Sequence, residues 1–395
     1  MNMRFAYLVF VVAVLILLFS RCFRSGTGSG NDPRGNLYAG ASACVGCHRT
    51  VVDSFVHDPH FKASAVADGG VLKGLPVANH SFPDSSFTFS FLDSSQVRVD
   101  VKGGLVFQSG ERLDIAFGAG RHAQTYGYWK DGQLYELPLS WYADARSWAN
   151  SPGFPASHAR FDRVIGSRCF ECHASFVKRA FEPAGPMAVR EVLDRSTIVY
   201  GIDCERCHGP ALEHVRWQRD NPAVRAAKYI TRMGSLSRQQ QLDLCGVCHS
   251  GNDREALRSL FEFVPGDTLS HFYFPAFGGS ASAELDVHGQ QLQLLRRSKC
   301  FISSDLACGT CHSAHGVAVV ATTVTQCVRC HGNSAHVTAV LKETEQRKRD
   351  FNLTSSSCVD CHMPMTASRV IVLNGGAGAK PLPYLLRNHT IAIYK

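Results

Sequence analysis

Methionine, blocks of like charge and long apolar runs are all scarce in this 395-residue sequence. Only six methionines are present, so few thioether groups are at hand as metal ligands. The formal net charge is +8, but no run of basic residues reaches five, and this scatter argues against a nucleic-acid partner. The longest apolar run covers residues 5–19 and falls short of the ~20 residues that span a bilayer.

The short apolar run is typical of the central part of a secretory signal. Arg4 precedes it and Cys22 follows it closely. A cysteine at that place is typical of a lipoprotein whose mature chain begins there, although Arg21 is a poor match to the small residue usual before it; an uncleaved membrane anchor is an equally open alternative. Either way we expect residues 1–24 to export the chain and residues 25–36 to form a flexible linker. The protein would then lie in the periplasm or on the outer surface of a bacterium, held to the membrane by its N-terminus.

Cysteine and histidine, by contrast, are abundant, with 16 and 18 residues. Fourteen of the cysteines fall into seven CxxCH motifs, in which two cysteines three positions apart are followed at once by a histidine. The motifs are Cys44-Val-Gly-Cys47-His48, Cys169-Phe-Glu-Cys172-His173, Cys204-Glu-Arg-Cys207-His208, Cys245-Gly-Val-Cys248-His249, Cys308-Gly-Thr-Cys311-His312, Cys327-Val-Arg-Cys330-His331 and Cys358-Val-Asp-Cys361-His362. Outside them, Cys300 is interpreted as a buried free thiol, with a disulfide to Cys22 as the alternative.

The CxxCH spacing has a chemical reason. Two thiols at this spacing reach the two vinyl groups on one edge of a haem, and the next residue then lies over the iron. Zinc sites and redox disulfides also use CxxC pairs, but neither needs a histidine next to the second cysteine every time. Seven such histidines would arise by chance with a probability on the order of 10⁻⁹. The sequence therefore predicts seven covalently attached c-type haems, each with the histidine of its motif as proximal iron ligand.

Each of these irons takes up to one further axial ligand. Eleven histidines lie outside the motifs, whereas only four methionines lie outside residues 1–24. We therefore expect two histidine ligands per iron and low reduction potentials. The expected second ligands are His60, His122, His214, His315, His336 and His389. Three histidines compete for the seventh place, for which His271 is taken ahead of His158 and His288. His57 and His80 look ordinary.

Several of these second ligands follow a motif too closely to serve the haem of that motif. His315 lies three residues after His312, and His214 lies six residues after His208. A chain that leaves the proximal face cannot reach the distal face of the same haem in so few residues. We therefore expect these histidines, and His336 likewise, to bind neighbouring haems and so to hold the haems close together.

The remaining patterns predict a mainly α fold packed around haems, with a small antiparallel β insertion. Residues 37–79 form the first haem segment, and residues 80–145 alternate polar and apolar side chains with Gly and Asp-Gly punctuation, which is typical of strands. Residues 146–395 hold the other six motifs and are expected to be a helical core. Within it, Ser237 to Gln240 fits a capping box that opens a helix toward Cys245.

The motifs and their surroundings resemble multihaem cytochromes c related to the tetrahaem electron carrier of ammonia oxidisers, the pentahaem nitrite reductase and the octahaem hydroxylamine oxidoreductase. The resemblance covers most of residues 37–392. It is carried by Cys44–His48 with His60, by CxxCHGP…H at Cys204–Pro210 with His214, by CxxCHxxH at Cys308–His315, by CxxCHMP at Cys358–Pro364 and by Asn388-His389. The stretch Gly118–Trp141 resembles a subgroup often fused to tetratricopeptide repeats.

The resemblance implies electron transfer to and from other redox proteins, such as quinol-linked or periplasmic donors and acceptors. The cytochromes that the chain resembles also include enzymes. The nitrite reductase has a lysine in place of the motif histidine at its catalytic haem, whereas all seven motifs here end in histidine. The alternative function is an oxidoreductase that acts on a small nitrogen or sulfur compound at one five-coordinate haem, with Arg121, His122 and Tyr126 near it. A third hypothesis is a subunit of a larger respiratory or filament assembly that docks through the sheet of residues 80–145.

Overall fold

The computed structural model describes residues 32–68, 80–81, 87–91, 97–101, 104–107, 113–155, 157–251, 254–274, 285–316, 320–332, 358–373 and 380–394. The predicted leader, residues 1–24, and most of the predicted linker lie outside the described residues. In the described part, no helix has both the length and the apolar character needed to cross a bilayer. The domain boundaries drawn from the sequence stay predictions.

The fold is not mainly α, and that expectation from the sequence is wrong. The described residues contain four antiparallel sheets. The largest has the spatial order β1 (Ser64–Val66), β6 (Ile115–Phe117), β7 (Ala123–Lys130), β8 (Gln133–Tyr142) and β9 (Ser147–Asn150). A second sheet contains β2 (His80–Ser81), β3 (Phe87–Phe91), β4 (Val97–Val101) and β5 (Gly104–Phe107). Two hairpins lie in the part expected to be helical: β10 (Ala174–Gly185) with β11 (Ala188–Tyr200), and β12 (Met365–Leu373) with β13 (Leu382–Arg387).

The centre of the five-stranded sheet is a tight hairpin. Strands β7 and β8 are joined by Asp131 and Gly132, whose φ angles are 48° and 76°. Positive φ at both positions makes a two-residue turn whose twist matches that of the strands, and Asp-Gly tolerates it well. The sheet buries Tyr126, Leu137 and Trp148 in one hydrophobic cluster. This sheet holds one hydrophobic core, and the short helices around the fourth motif pack into two further clusters.

The helices are short, and every CxxCH motif lies on one or at its end. The described α-helices are Val45–Phe55, Ser167–His173, Cys204–His208, Leu212–Asp220, Arg238–His249, Gln291–Leu295, Lys299–Ile302, Cys308–Cys311, Val320–His331 and Cys358–His362. The capping box predicted at Ser237 is confirmed: its side chain accepts from the Gln240 N–H, and the Gln240 side chain accepts from the Ser237 N–H. The helix that begins there runs through the fourth motif to His249.

The helix of the second motif packs directly on the sheet. Phe170 is fully buried in a cluster with Ile115 and Phe117 of β6 and with Val177 and Leu193 at the inner end of the β10–β11 hairpin. The ring of Phe117 also meets that of His173 edge-on, with the ring centres 5.9 Å apart. The sheet therefore fixes the position of the second CxxCH motif.

Candidate haem sites

The two cysteines of each motif lie on the same side of a helical turn. Residues three positions apart face the same way on a helix, so both thiols are presented to one ligand edge. The described residues contain all fourteen motif cysteines and Cys300, and none of these cysteines forms a disulfide. Within the same residues no group of three or more His, Cys, Asp or Glu side chains could hold a bare metal ion. This donor set fits a porphyrin-bound iron, which takes only two ligands from the protein.

Two imidazoles on opposite sides of one metal have a fixed separation. A coordinated nitrogen lies about 2 Å from the metal and about 1.1 Å from its own ring centre, so the two ring centres lie about 6.2 Å apart. Four motif histidines have a second imidazole at close to this separation. The pairs are His48 with His214 at 6.4 Å, His249 with His60 at 6.1 Å, His208 with His315 at 5.8 Å and His312 with His389 at 6.3 Å.

Each of these pairs joins residues that are distant in sequence. His214 follows the third motif but lies opposite His48 of the first. His315 follows the fifth motif but lies opposite His208 of the third. This arrangement is the one expected if a histidine that follows one motif binds the haem iron of a different motif. The assignment of these imidazoles as iron ligands stays a prediction, to which the separations lend support.

The second nitrogen of many of these rings is held by the protein. The Nδ1 atoms of His208, His214 and His389 lie 2.8, 2.9 and 3.1 Å from the carbonyl oxygens of Thr231, Lys228 and Arg387. An Nδ1–H that donates to a carbonyl fixes the tautomer and leaves Nε2 free to bind a metal. The Nδ1 atoms of His173 and His362 likewise face the carbonyl oxygens of Ala63 and Ala392, and that of His60 faces the carboxylate of Asp58.

His288 lies near the second motif. Burial lowers the pKa of His173, and the charge of His288 lowers it further, so these two imidazoles share one region. The backbone N–H of His288 donates to Asp286 Oδ1 at 2.8 Å. Sequence reasoning weighed His288 for the seventh place but chose His271, and no spacing rule favoured either residue.

Three expected ligands are not placed opposite a described imidazole. His122 is largely exposed, and its Nδ1 lies 2.8 Å from Asp144 Oδ2. His271 lies on the 3₁₀ helix Leu269–Phe272, and no described imidazole is in ring contact with it. His336 lies outside the described residues. Tyr126, named beside His122 for an enzymatic pocket, is instead a buried core residue whose hydroxyl donates to Gln124 Oε1 at 2.8 Å.

Thiols of different motifs lie close enough to interact with one another. The hydrogen-bonded pairs are Cys44 with Cys204, Cys172 with Cys248, Cys245 with Cys308 and Cys327 with Cys358. Electrostatic interactions link Cys207 with Cys248 and Cys311 with Cys330. The attachment points therefore follow one another in the order first, third, fourth, fifth, sixth and seventh motif, and the second motif adjoins the fourth.

A buried ion cluster holds the third motif. The guanidinium of Arg34 lies 2.8 Å from Asp203, 3.0 Å from Glu205 and 2.9 Å from Asp32, and all four side chains are less than a tenth exposed. Asp203 caps the helix Cys204–His208 by accepting from the Arg206 N–H at 3.0 Å. The cluster thus ties the segment before the first motif to the start of the third.

Glu136 is a second buried carboxylate, close to the second motif. Burial raises its pKa to about 7, although the charge of Arg163, whose Nε lies 3.3 Å away, lowers it. The carboxylate also interacts with Cys169 of the second motif. A raised pKa means that the folded protein disfavours the ionised form.

We expect Glu136→Gln to change how stability depends on pH. The folded pKa of about 7 lies above the ordinary 4.5, so the native protein loses stability as pH rises between these values, by up to ~3 kcal/mol. The amide cannot ionise and removes that loss. Denaturant unfolding of both proteins at pH 5 and pH 8 measures it. An equal drop in the variant would show that other groups cause the dependence.

Two family models match parts of the chain. Residues 120–209 match that of cytochrome c554 and c-prime, and residues 300–373 match that of cytochrome c3. No curated protein and no solved structure matches the chain. The matched ranges contain five of the seven CxxCH motifs, and the first and fourth lie outside them.

The two matches support an assignment to the multihaem cytochrome c superfamily, and the resemblance seen in the sequence is confirmed at that level. The cofactor implied is covalently attached c-type haem, with its iron, and the general activity implied is electron transfer between redox partners.

Proposed function

We propose that the chain carries seven c-type haems and conducts electrons along them outside the bacterial cytoplasm. The observation that carries this proposal is the set of four imidazole pairs at 5.8–6.4 Å, each formed by a motif histidine and a histidine from elsewhere in the chain. When bound, each haem supplies an iron that alternates between the ferric and ferrous states.

The protein's own part is to hold the attachment points close together. Because hydrogen bonds or electrostatic interactions link thiols of neighbouring motifs, the vinyl edges that they bind would lie near one another, and an electron could pass from one haem to the next. The order of contacts gives a line of six motifs with the second as a branch at the fourth. A line with two ends and a branch suits a protein that accepts electrons from one redox partner and delivers them to another.

The axial ligands of each haem iron affect its reduction potential. Two imidazoles per iron favour lower potentials than a histidine and a methionine, so we expect low-potential haems and partners of similar potential, such as quinol-linked or periplasmic redox proteins. The leader would export the chain and its N-terminus would hold it at the membrane, as expected from residues 1–24. Nucleic acid is not proposed as a partner.

The test is haem quantification with spectroscopy of the oxidised holoprotein. The pyridine haemochrome assay should give seven haems per chain, and low-temperature EPR should give low-spin ferric signals from the bis-His sites. Fewer than six haems per chain would refute the proposal. Seven haems with one high-spin signal would favour the enzymatic alternative, and turnover of nitrite and hydroxylamine would then be assayed.

A further inference from the structure

A basic surface lies next to two of the candidate iron ligands. It is formed by the helix Leu212–Asp220 and the loop that follows, where residues 213–232 contain five cations and two carboxylates, a net charge of +3. The cations, all exposed, are Arg216, Arg219, Arg225, Lys228 and Arg232. No described carboxylate forms an ion pair with any of them. We call these five residues the basic patch.

The loop is fixed along the helix. The side-chain amide of Gln218 on the helix donates to the carbonyl oxygen of Val224, the residue before Arg225. Further along the loop, the ammonium group of Lys228 lies 5.4 Å from the ring centre of Trp217, which is again on the helix. The cations of the loop therefore lie beside those of the helix, and their electrostatic fields add.

The basic patch surrounds exposed apolar side chains. Tyr229 is 51% exposed and Val224 is 39% exposed. The φ angle of Tyr229 is 58°, which is uncommon for a residue other than glycine. The ammonium group of Lys228 lies 4.9 Å from the centre of the Tyr229 ring. Aromatic and arginine side chains around an apolar centre are typical of protein–protein interfaces.

The same loop holds two imidazoles through its backbone. The carbonyl oxygen of Lys228 lies 2.9 Å from Nδ1 of His214, and that of Thr231 lies 2.8 Å from Nδ1 of His208. In each ring the other nitrogen, Nε2, is the one left to bind iron. The loop therefore lies behind the ligands, with one hydrogen bond between its backbone and each ring. A protein that covered the basic patch would come close to the haems of the first and third motifs.

The first motif is also one end of the series of attachment points, where it adjoins the third motif through Cys44 and Cys204. An end of the series is where electrons would enter or leave. The charge selects the kind of partner, because an acidic surface is attracted to the basic patch whereas a second copy of the chain would bring the same positive charge.

We propose that an acidic redox protein docks on the basic patch and exchanges electrons with the chain there, an inference that rests on the proposed function.

The test measures by stopped-flow absorbance how fast a reduced plant-type [2Fe–2S] ferredoxin, a small acidic redox protein of low potential, reduces the haems of the holoprotein. For the native protein, the second-order rate constant should fall by more than about tenfold between about 10 mM and about 300 mM ionic strength, because salt screens the attraction. Arg225→Glu with Arg232→Glu should lower the low-salt rate constant by more than about tenfold. Both substitutions leave in place the carbonyl groups that hold His208 and His214.

The matched control is Arg296→Glu with Lys299→Glu, which makes the same change of charge at two exposed cations in another part of the chain. Its low-salt rate constant should stay within about twofold of the native value. Haem content, the EPR spectrum and the rate of reduction by photoreduced lumiflavin, a neutral flavin, should be equal in all three proteins. Missing haems or loss of lumiflavin reduction in the native protein would count against the proposed function itself.

Equal ferredoxin rate constants for the native protein and the Arg225/Arg232 variant would overturn the proposal, as would a control that loses as much as that variant. Vesicles of phosphatidylglycerol test the other anionic surface. Binding to them at low salt that only the Arg225/Arg232 variant loses, with unchanged ferredoxin rate constants, would assign the basic patch to a membrane and overturn the proposal.

Discussion

Replacing His315 with alanine is expected to leave the haem count unchanged and to convert one low-spin ferric haem per chain into a high-spin one. The ring of His315 lies 5.8 Å from that of His208 and is tilted from it by only 14°. His208 is itself fixed by Thr231, so it would remain as the proximal ligand. Since Cys204 and Cys207 are untouched, the thioether bonds of that haem would still form.

The converted haem can be recognised in two ways. An iron with only one protein ligand gives a high-spin ferric EPR signal when oxidised, and it binds carbon monoxide when reduced. His315→Met is the graded variant: a thioether should restore a six-coordinate iron and raise the potential of one haem. This readout would not change if His315 served only to fill space.

The matched control is His57→Ala, which removes another exposed histidine of the same chain. It should change neither the EPR spectrum nor the binding of carbon monoxide. His214→Ala should repeat the effect at the first motif, because the ring of His214 lies 6.4 Å from that of His48. Low-spin spectra without carbon monoxide binding in both ligand variants would contradict the ligand assignment.

The features that follow from short-range spacing were predictable. The CxxCH spacing, the Asp131-Gly132 turn and the Ser237 capping box each act within a few residues, so the chain itself specifies them. Sequence distance also suggested that His315 would serve a neighbouring haem. It could not tell which one, because the partner is set by how remote segments pack.

Strands β10 and β11 were missed for a physical reason. The outer half of the β10–β11 hairpin is exposed on both faces, so its residues do not alternate between apolar and polar. Val189, Val192 and Leu193 instead show the spacing of an apolar helix face, although the β-branched residues of β11 favour a strand. A pattern that depends on a buried face is lost where no face is buried.

Replacing Arg34 with leucine is expected to lower the free energy of unfolding by about 3–5 kcal/mol, because three buried carboxylates would lose the cation that pairs with all of them. The side chain of Arg34 is 5% exposed, and those of Asp32, Asp203 and Glu205 are 8%, 4% and 1% exposed. Burial already raises the pKa of Glu205, even though Arg34 and backbone donors lower it. Denaturant unfolding of the holoprotein, followed by haem absorbance, measures the change.

The loss should depend on pH with a definite sign. Burial opposes ionisation of Asp32, but its hydrogen bonds with Arg34 and the charge of Arg34 outweigh this and lower its pKa below 3.8. The stabilisation is therefore complete above that value and is lost as pH falls below it. The difference between the native protein and Arg34→Leu should be full at neutral pH and shrink in acid.

Arg160→Leu is the control for this substitution, because Arg160 also pairs with an aspartate, Asp162, at 3.0 Å but at the surface. Water and salt screen that pair, so its loss should leave unfolding unchanged. Arg34→Lys should recover only part of the stability, since a lysine keeps the charge but cannot bond three carboxylates with a planar fork. Equal stability of Arg34→Leu and the native protein at neutral pH would mean that the cluster does not hold the third motif in place.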